Sequence, residues 1–266
     1  MASAESWKAL LEKRGADEPL QKVIDGLLTV CSKIATALRG TEVEALGQQN
    51  AFGDEQLTVD VLAERLLRNY AEKESLIKAI SSEEDTPLKE CHEDGEFILC
   101  WDPLDGSSIV DCNWSVGTIV GIWRLQHHGL HWKGTETLVN QTGRQQVAAV
   151  VVVYGPRTTA VVALNPSQQG AAQQEQMGDA LQEDGQEGRS MHGKKCIFSV
   201  RLADDGAPVV VGEPRIRSQA KIFAPANLRA AQDLPEYQRL VNYWMEKRYT
   251  LRYTGVGAKE KQRFRL

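Results

Sequence analysis

From Leu20 onward, apolar side chains fall at Val23, Ile24, Leu27, Leu28, Cys31, Ile34, Ala35 and Leu38. That spacing predicts a helix burying one stripe, stopped by Gly40. A second helix is predicted to begin near Asp54 or Glu55, with Val59, Leu62, Leu66 and Tyr70 on one side. The period then changes. Phe97 to Trp101, Val116 to Trp123, Val147 to Tyr154 and Thr159 to Leu164 are short apolar runs of strand length, and Gly155-Pro156 separates the last two. Strand-like runs resume at Cys196 to Val200 and Pro208 to Val211, and a helix predicted over Pro235 to Lys247 precedes Tyr249 to Tyr253. Helices that lead and strands that follow predict a mixed α/β layered domain.

Between Asn165 and Lys195 the chain turns rich in Gln, Gly and Glu, too polar to feed a core, and this predicts a long mobile surface loop inserted between strands. The expected organisation is therefore residues 1–164, an inserted loop over 165–195, and a further part over 196–266. The 31 Lys and Arg against 36 Asp and Glu give a net charge of −5, and 42% of residues are hydrophobic, as in an ordinary globular protein. No apolar run reaches the roughly 18 residues that a spanning helix needs, so no membrane span is expected. With a pI near 5.7, neither nucleic acid nor an anionic membrane is an expected partner. An acidic chain that handles an anion needs cations. The cysteines at 31, 91, 100, 112 and 196 are odd in number and lack metal-ligand spacing, which fits free thiols in a reducing compartment. The first residues show no signal-peptide core, so cytoplasm is the expected location, with a plastid or other organelle as the alternative.

The chemistry gathers in Trp101-Asp102-Pro103-Leu104-Asp105-Gly106-Ser107-Ser108, directly after a predicted strand. Two carboxylates three residues apart at a strand's end can converge on one cation, and Pro103 can leave the Leu104 carbonyl pointing inward as a third oxygen. Hard oxygen donors suit Mg²⁺. Gly106, Ser107 and Ser108 then offer closely spaced N–H groups and hydroxyls to a phosphate oxygen. Upstream, Glu83-Glu84 are adjacent carboxylates on irregular chain, so one can bind metal while the other handles a proton. Asp54 and Asp60 share a site only if Asp54 sits at or before the helix cap. The alternative reading is that Asp54 is simply an N-cap and Asp60 a solvated face residue. His127, His128 and His131 have hairpin-like spacing with no fourth ligand nearby, which reads as surface rather than zinc.

Phe52-Gly53-Asp54-Glu55-Gln56-Leu57-Thr58-Val59-Asp60, Ser82-Glu83-Glu84, Asp102 to Asp111 and Val116-Gly117-Thr118-Ile119 together resemble the fructose-1,6-bisphosphatase family. Ile109-Val110, Tyr154 to Thr159, Pro225 to Ala230 and Tyr249 to Gly255 favour its branch acting on a seven-carbon sugar. The resemblance implies a layered α-β-α-β-α sugar phosphatase fold and a phosphoric monoester hydrolase of carbohydrate metabolism, as in the Calvin cycle. It would release the 1-phosphate of sedoheptulose 1,7-bisphosphate with Mg²⁺, and fructose 1,6-bisphosphate is the alternative substrate. It implies Asp54, Glu83, Asp102, Leu104 through its carbonyl, and Asp105 as magnesium ligands. Glu84 with Asp60 would accept the proton of the attacking water. Asp105, Gly106, Ser107 and Ser108 would meet the scissile phosphate, and Asn227 and Arg252 the distal one. It also implies a homo-oligomer, dimer or tetramer, in which Arg252 can serve the partner's site.

Two departures stand out. Thr41 to Ala51 has no cysteine where the plant form carries a redox pair, so disulfide switching is not expected. After Gly255 the likeness stops, whereas the family continues through a further metal-binding Glu, substrate-binding Tyr and Lys, and several core elements. Incomplete C-terminal layers and slow turnover are the expectations, with a non-catalytic fragment that retains metal or subunit binding as the alternative.

Overall fold

The structure is a computed structural model that describes residues 6–49, 55–125, 130–165, 196–203, 207–214, 221–225 and 228–251. Two helices open the chain, α1 (Trp7–Lys13) and α2 (Glu18–Leu38). The Asp17 side chain accepts from the Leu20 N–H and caps α2, whose stripe from Val23 to Cys31 is buried as the spacing predicts. Gly26 is the exception to good helix propensity, and it has a packing reason. A Cβ there would lie 2.4 Å from the Tyr70 ring, whose hydroxyl donates to the Val23 carbonyl at 3.0 Å. The missing side chain lets the next helix approach.

That helix, α3 (Thr58–Ala71), starts later than predicted because the residues before it are extended: β1 (Ala45–Gln49) pairs antiparallel with β2 (Glu55–Leu57). Asp60 lies in the first turn of α3 and accepts from the Leu57 N–H at 3.0 Å. It is 2% exposed, which overturns the solvated-face alternative.

Next come β3 (Ile77–Ser82), β4 (Lys89–Glu90), β5 (Phe97–Asp105), β6 (Val116–Arg124), β7 (Ala148–Tyr154), β8 (Thr158–Leu164), β9 (Cys196–Leu202) and β10 (Pro208–Gly212). They form one sheet in the order β10-β9-β8-β7-β6-β5-β3-β4. Every neighbouring pair is antiparallel except β3 with β5, which run parallel. Alternation along β7 and β8 sends Val150, Val152, Ala160 and Val162 into the main core, where α1, α2 and α3 cover the sheet. A smaller cluster of Ala79, Leu88 and Ile98, with Trp123 and Trp132 against it, forms a separate core. The fold class is α/β, as the pattern of elements predicts.

β3 escapes a reading by hydrophobicity because Lys78 interrupts it. This lysine is nevertheless 5% exposed. Its ammonium donates to Glu90 Oε1 at 2.5 Å and to the Glu93 carbonyl at 2.8 Å, and lies 4.8 Å from the Trp132 ring centroid. Of the polar stretch after β8, residues 166–195 lie outside the described residues; the strands flanking it pair directly, Leu164 opposite Cys196. Further on, β11 (Ile222–Phe223) pairs parallel with β12 (Thr250–Leu251), around α4 (Ala230–Asp233) and α5 (Pro235–Glu246).

Candidate active site

The parallel pair sets the site. Ser81 stands opposite Cys100 and Ser82 opposite Trp101, and the Glu83 N–H continues the ladder by donating to the Trp101 carbonyl at 3.0 Å. Glu83 and Asp102 therefore leave neighbouring strands side by side, at a strand spacing of about 4.8 Å. Both lie just beyond the last parallel pair, Ser82 with Trp101, at the end of the parallel ladder, where open α/β sheets bind ligands.

β5 runs further than predicted, through Pro103 to Asp105, so the acidic motif begins inside the strand rather than in a turn after it. Asp102 faces Ile119 and Asp105 faces Gly117, which leaves one extra residue on β5, a bulge that re-aims the chain. Three contacts fix it. Asp102 Oδ1 accepts from the Leu104 N–H at 3.1 Å, and Thr118 Oγ1 donates to the Pro103 carbonyl at 2.8 Å and hydrogen-bonds the Tyr154 hydroxyl at 2.7 Å. Leu104 and Asp105 are buried. Gly106 follows with φ +85°, a left-handed turn that glycine adopts without strain, and Ser107–Ile109 form one turn of 3₁₀ helix. Ser107 is buried and Ser108 exposed.

Because Thr118 is fully buried, its replacement by Val leaves the Pro103 carbonyl and Tyr154 hydroxyl without this partner at unchanged volume. Thr118→Val should cost about 2 to 3 kcal/mol in urea unfolding. A loss below about 0.5 kcal/mol would show that the bulge is held by something else.

The second carboxylate group meets the same corner from α3. Glu84 Oε2 accepts from Gln56 Nε2 at 2.5 Å, and the Glu84 N–H donates to Ser82 Oγ at 3.1 Å. Gln56 and Leu57 are consecutive, and they bind Glu84 and Asp60 respectively. The structure thus brings Glu84 and Asp60 to one junction, and Glu83, Asp102, Leu104 and Asp105 to adjacent strand ends. Asp54, Asn227 and Arg252 lie outside the described residues. Among the described residues no three Asp, Glu, His or Cys side chains close into a ready metal site. The donors are nonetheless carboxylates and a carbonyl on adjoining chain, the set a hard divalent cation takes.

Two thiols flank the motif. Burial pushes the Cys100 thiol up to about 11, and the hydrogen bond to the Asp111 carboxylate raises Cys112, so both stay protonated near neutrality. Sequence reasoning misses Gln56, Thr118 and Tyr154 as supports, although all three sit inside the quoted motifs. It also misses Glu64, whose only signal is its place four residues after Asp60 on the same helix face.

A family model described as fructose-1-6-bisphosphatase, N-terminal domain, matches residues 8–181. The chain is 36% identical over 262 residues to the chloroplastic sedoheptulose-1,7-bisphosphatase of Triticum aestivum, covering 96% of this chain and 56% of that protein. It is 38% identical over 153 residues to a class 1 fructose-1,6-bisphosphatase of Syntrophotalea carbinolica, covering 57% of this chain and 44% of that protein. The chain spans about half the length of the curated relatives it matches. A Toxoplasma gondii crystal structure, provisionally described as a sedoheptulose-1,7 bisphosphatase, superposes with a TM-score of 0.81 at 53% identity, covering 96% of this chain and 73% of that one. Leishmania major fructose-1,6-bisphosphatase in holo form shares the fold, with a TM-score of 0.73 at 21% identity over 94% of this chain and 72% of that one.

Proposed function

The chain belongs to the fructose-1,6-bisphosphatase family, and on that premise we propose that it serves the magnesium-dependent hydrolysis of sedoheptulose 1,7-bisphosphate to sedoheptulose 7-phosphate and phosphate. The observation that carries this reading is the parallel β3–β5 register, which sets the Glu83-Glu84 turn beside the Asp102–Asp105 bulge. The names of the wheat, spinach and Toxoplasma relatives support the seven-carbon substrate. Fructose 1,6-bisphosphate is the second reading, supported by the class 1 relatives.

In this reading Asp54, Glu83, Asp102, Asp105 and the Leu104 carbonyl hold Mg²⁺, within a metal- and phosphate-binding part formed by residues 1–164. Bound there, Mg²⁺ supplies the positive charge that a phosphate dianion needs before water can approach its phosphorus. Glu84 and Asp60 take the proton of the attacking water as its oxygen bonds to phosphorus. The bond from phosphorus to the sugar's C1 oxygen breaks, and that oxygen leaves with a proton from solvent. The backbone and hydroxyls of Gly106, Ser107 and Ser108 orient the phosphate oxygens, and Asn227 and Arg252 hold the far phosphate, Arg252 in its own or a partner's site. A homo-oligomer is part of the proposal, in the cytoplasm or, as the chloroplastic relatives suggest, in a plastid. Among the described residues no helix is long and apolar enough to cross a membrane.

The test is phosphate release from both bisphosphates with Mg²⁺ and with excess chelator. Release that needs Mg²⁺ and favours sedoheptulose bisphosphate is expected. Equal rates with chelator present would end the magnesium assignment, and a preference for the six-carbon ester would favour the second reading.

A further inference from the structure

Glu64 lies on α3, outside every motif that identified the site, yet its carboxylate collects donors from three elements. Its Oε2 accepts from Ser82 Oγ at 2.7 Å and from Trp101 Nε1 at 2.8 Å. Its Oε1 accepts from Arg68 Nε one turn further along α3. The Glu64 side chain is 12% exposed, so these charge-assisted bonds are largely shielded from water.

Each partner leads to the proposed metal corner. The Ser82 hydroxyl spends its one proton on Glu64 and accepts the Glu84 N–H with a lone pair. The Trp101 indole is tied to Glu64 while the Trp101 carbonyl receives the Glu83 N–H. Arg68 reaches on from Glu64 to Asp85 Oδ2 at 3.2 Å, which pins the far side of the turn. Residues 82–85 are thus all held by bonds that lead back to this one side chain.

We propose that Glu64 is a positioning residue, which touches neither substrate nor metal and sets where Glu83 and Glu84 stand relative to Asp102. The proposal rests on the bisphosphatase reading above. Glu64→Gln keeps the shape, removes the charge and turns an N–H toward a donor, so at least one of the three bonds is lost. Groups that orient metal ligands from behind are worth about ten- to a hundredfold in metal affinity or turnover.

The experiment measures Mn²⁺ binding by calorimetry and magnesium-dependent phosphate release for the whole chain, with the folded fraction fixed by thermal melting. The expected result for E64Q is about tenfold weaker Mn²⁺ binding and a tenfold or greater fall in kcat, with KM little changed. Ser82→Ala should do the same, and the double variant should be no worse than the worse single one, because both act through one path. Arg65→Gln, an exposed neighbour on α3, should change neither readout. Wild-type Mn²⁺ affinity and kcat in E64Q, multiplying effects in the double variant, or losses that merely follow the unfolded fraction would each overturn the proposal. If E64Q does not fold, S82A decides alone by the same criteria. An unmodified chain that neither binds Mn²⁺ nor releases phosphate would instead overturn the proposed function, and the role of Glu64 with it.

Discussion

Asp105→Asn is expected to lower magnesium-dependent phosphate release about a thousandfold, roughly 4 kcal/mol of transition-state stabilisation. The residue is 3% exposed, closes β5 opposite Gly117, and precedes the left-handed Gly106, so its carboxylate is fixed by the bulge rather than free to swing. Asparagine fills the same space and leaves the turn geometry intact, but it removes one full negative charge from a site proposed to hold doubly charged ions. An electrostatic contribution of several kcal/mol is what a metal ligand supplies in such chemistry. A second readout separates this from unfolding. Added Mg²⁺ should raise the melting temperature of the parent chain by mass action and leave that of D105N unmoved, while the two melt alike in chelator. Glu83→Gln should behave in the same way. Activity within tenfold of the parent in both variants would remove these residues from the metal assignment.

Gly95→Ala is expected to have the largest effect on stability, although it adds a single methyl group. A Cβ at position 95 would lie 2.3 Å from the Lys78 backbone nitrogen and 2.5 Å from the Ile77 carbonyl carbon, far inside van der Waals contact. The obstacle is main chain, not the end of a flexible side chain. β3 cannot step aside, because β5 holds it on one edge, β4 on the other, and the Lys78 carbonyl receives the Cys91 N–H at 2.8 Å. The chain around Gly95 must move instead, at a cost of about 3 kcal/mol. For a chain of this size that corresponds to a fall of about 6 to 12 °C in melting temperature. Gly143→Ala, where nothing lies within 4 Å of the added carbon, should leave the melting temperature nearly unchanged. A shift below about 2 °C in G95A would show that this packing yields easily.

The sequence is most readable where one period dominates. α2 carries an unbroken apolar stripe, and β7 and β8 alternate against the same core, so all three follow from hydrophobicity alone. It is least readable where a tertiary partner overrides local preference. Lys78 hides β3 until Glu90, Glu93 and Trp132 are seen around it. β1 and β2 are short and polar, and their pairing displaces the predicted start of α3. α1 is too short for its period to register, and Trp7 earns its burial by donating to Asp25 at 2.7 Å and packing edge-on against Phe198. The acidic motif is visible from spacing, but the roles of its members come from family likeness. Asp60 shows the difference: spacing leaves it between a face residue and a site residue, and burial excludes the first. Glu64 is invisible to both approaches, because two of its three donors, Ser82 and Trp101, come from strands distant along the chain.

The pairing of Leu164 with Cys196 has a consequence for how the molecule tolerates change. The strands on either side of the polar stretch meet across one rung of a ladder, about 5 Å apart. Closure of such an excursion grows only with the logarithm of its length, so doubling it costs about 0.6 kcal/mol. Insertions and deletions between Leu164 and Cys196 can therefore accumulate without disturbing strand register, and a reporter peptide grafted there would be carried by a frame that scarcely registers its size.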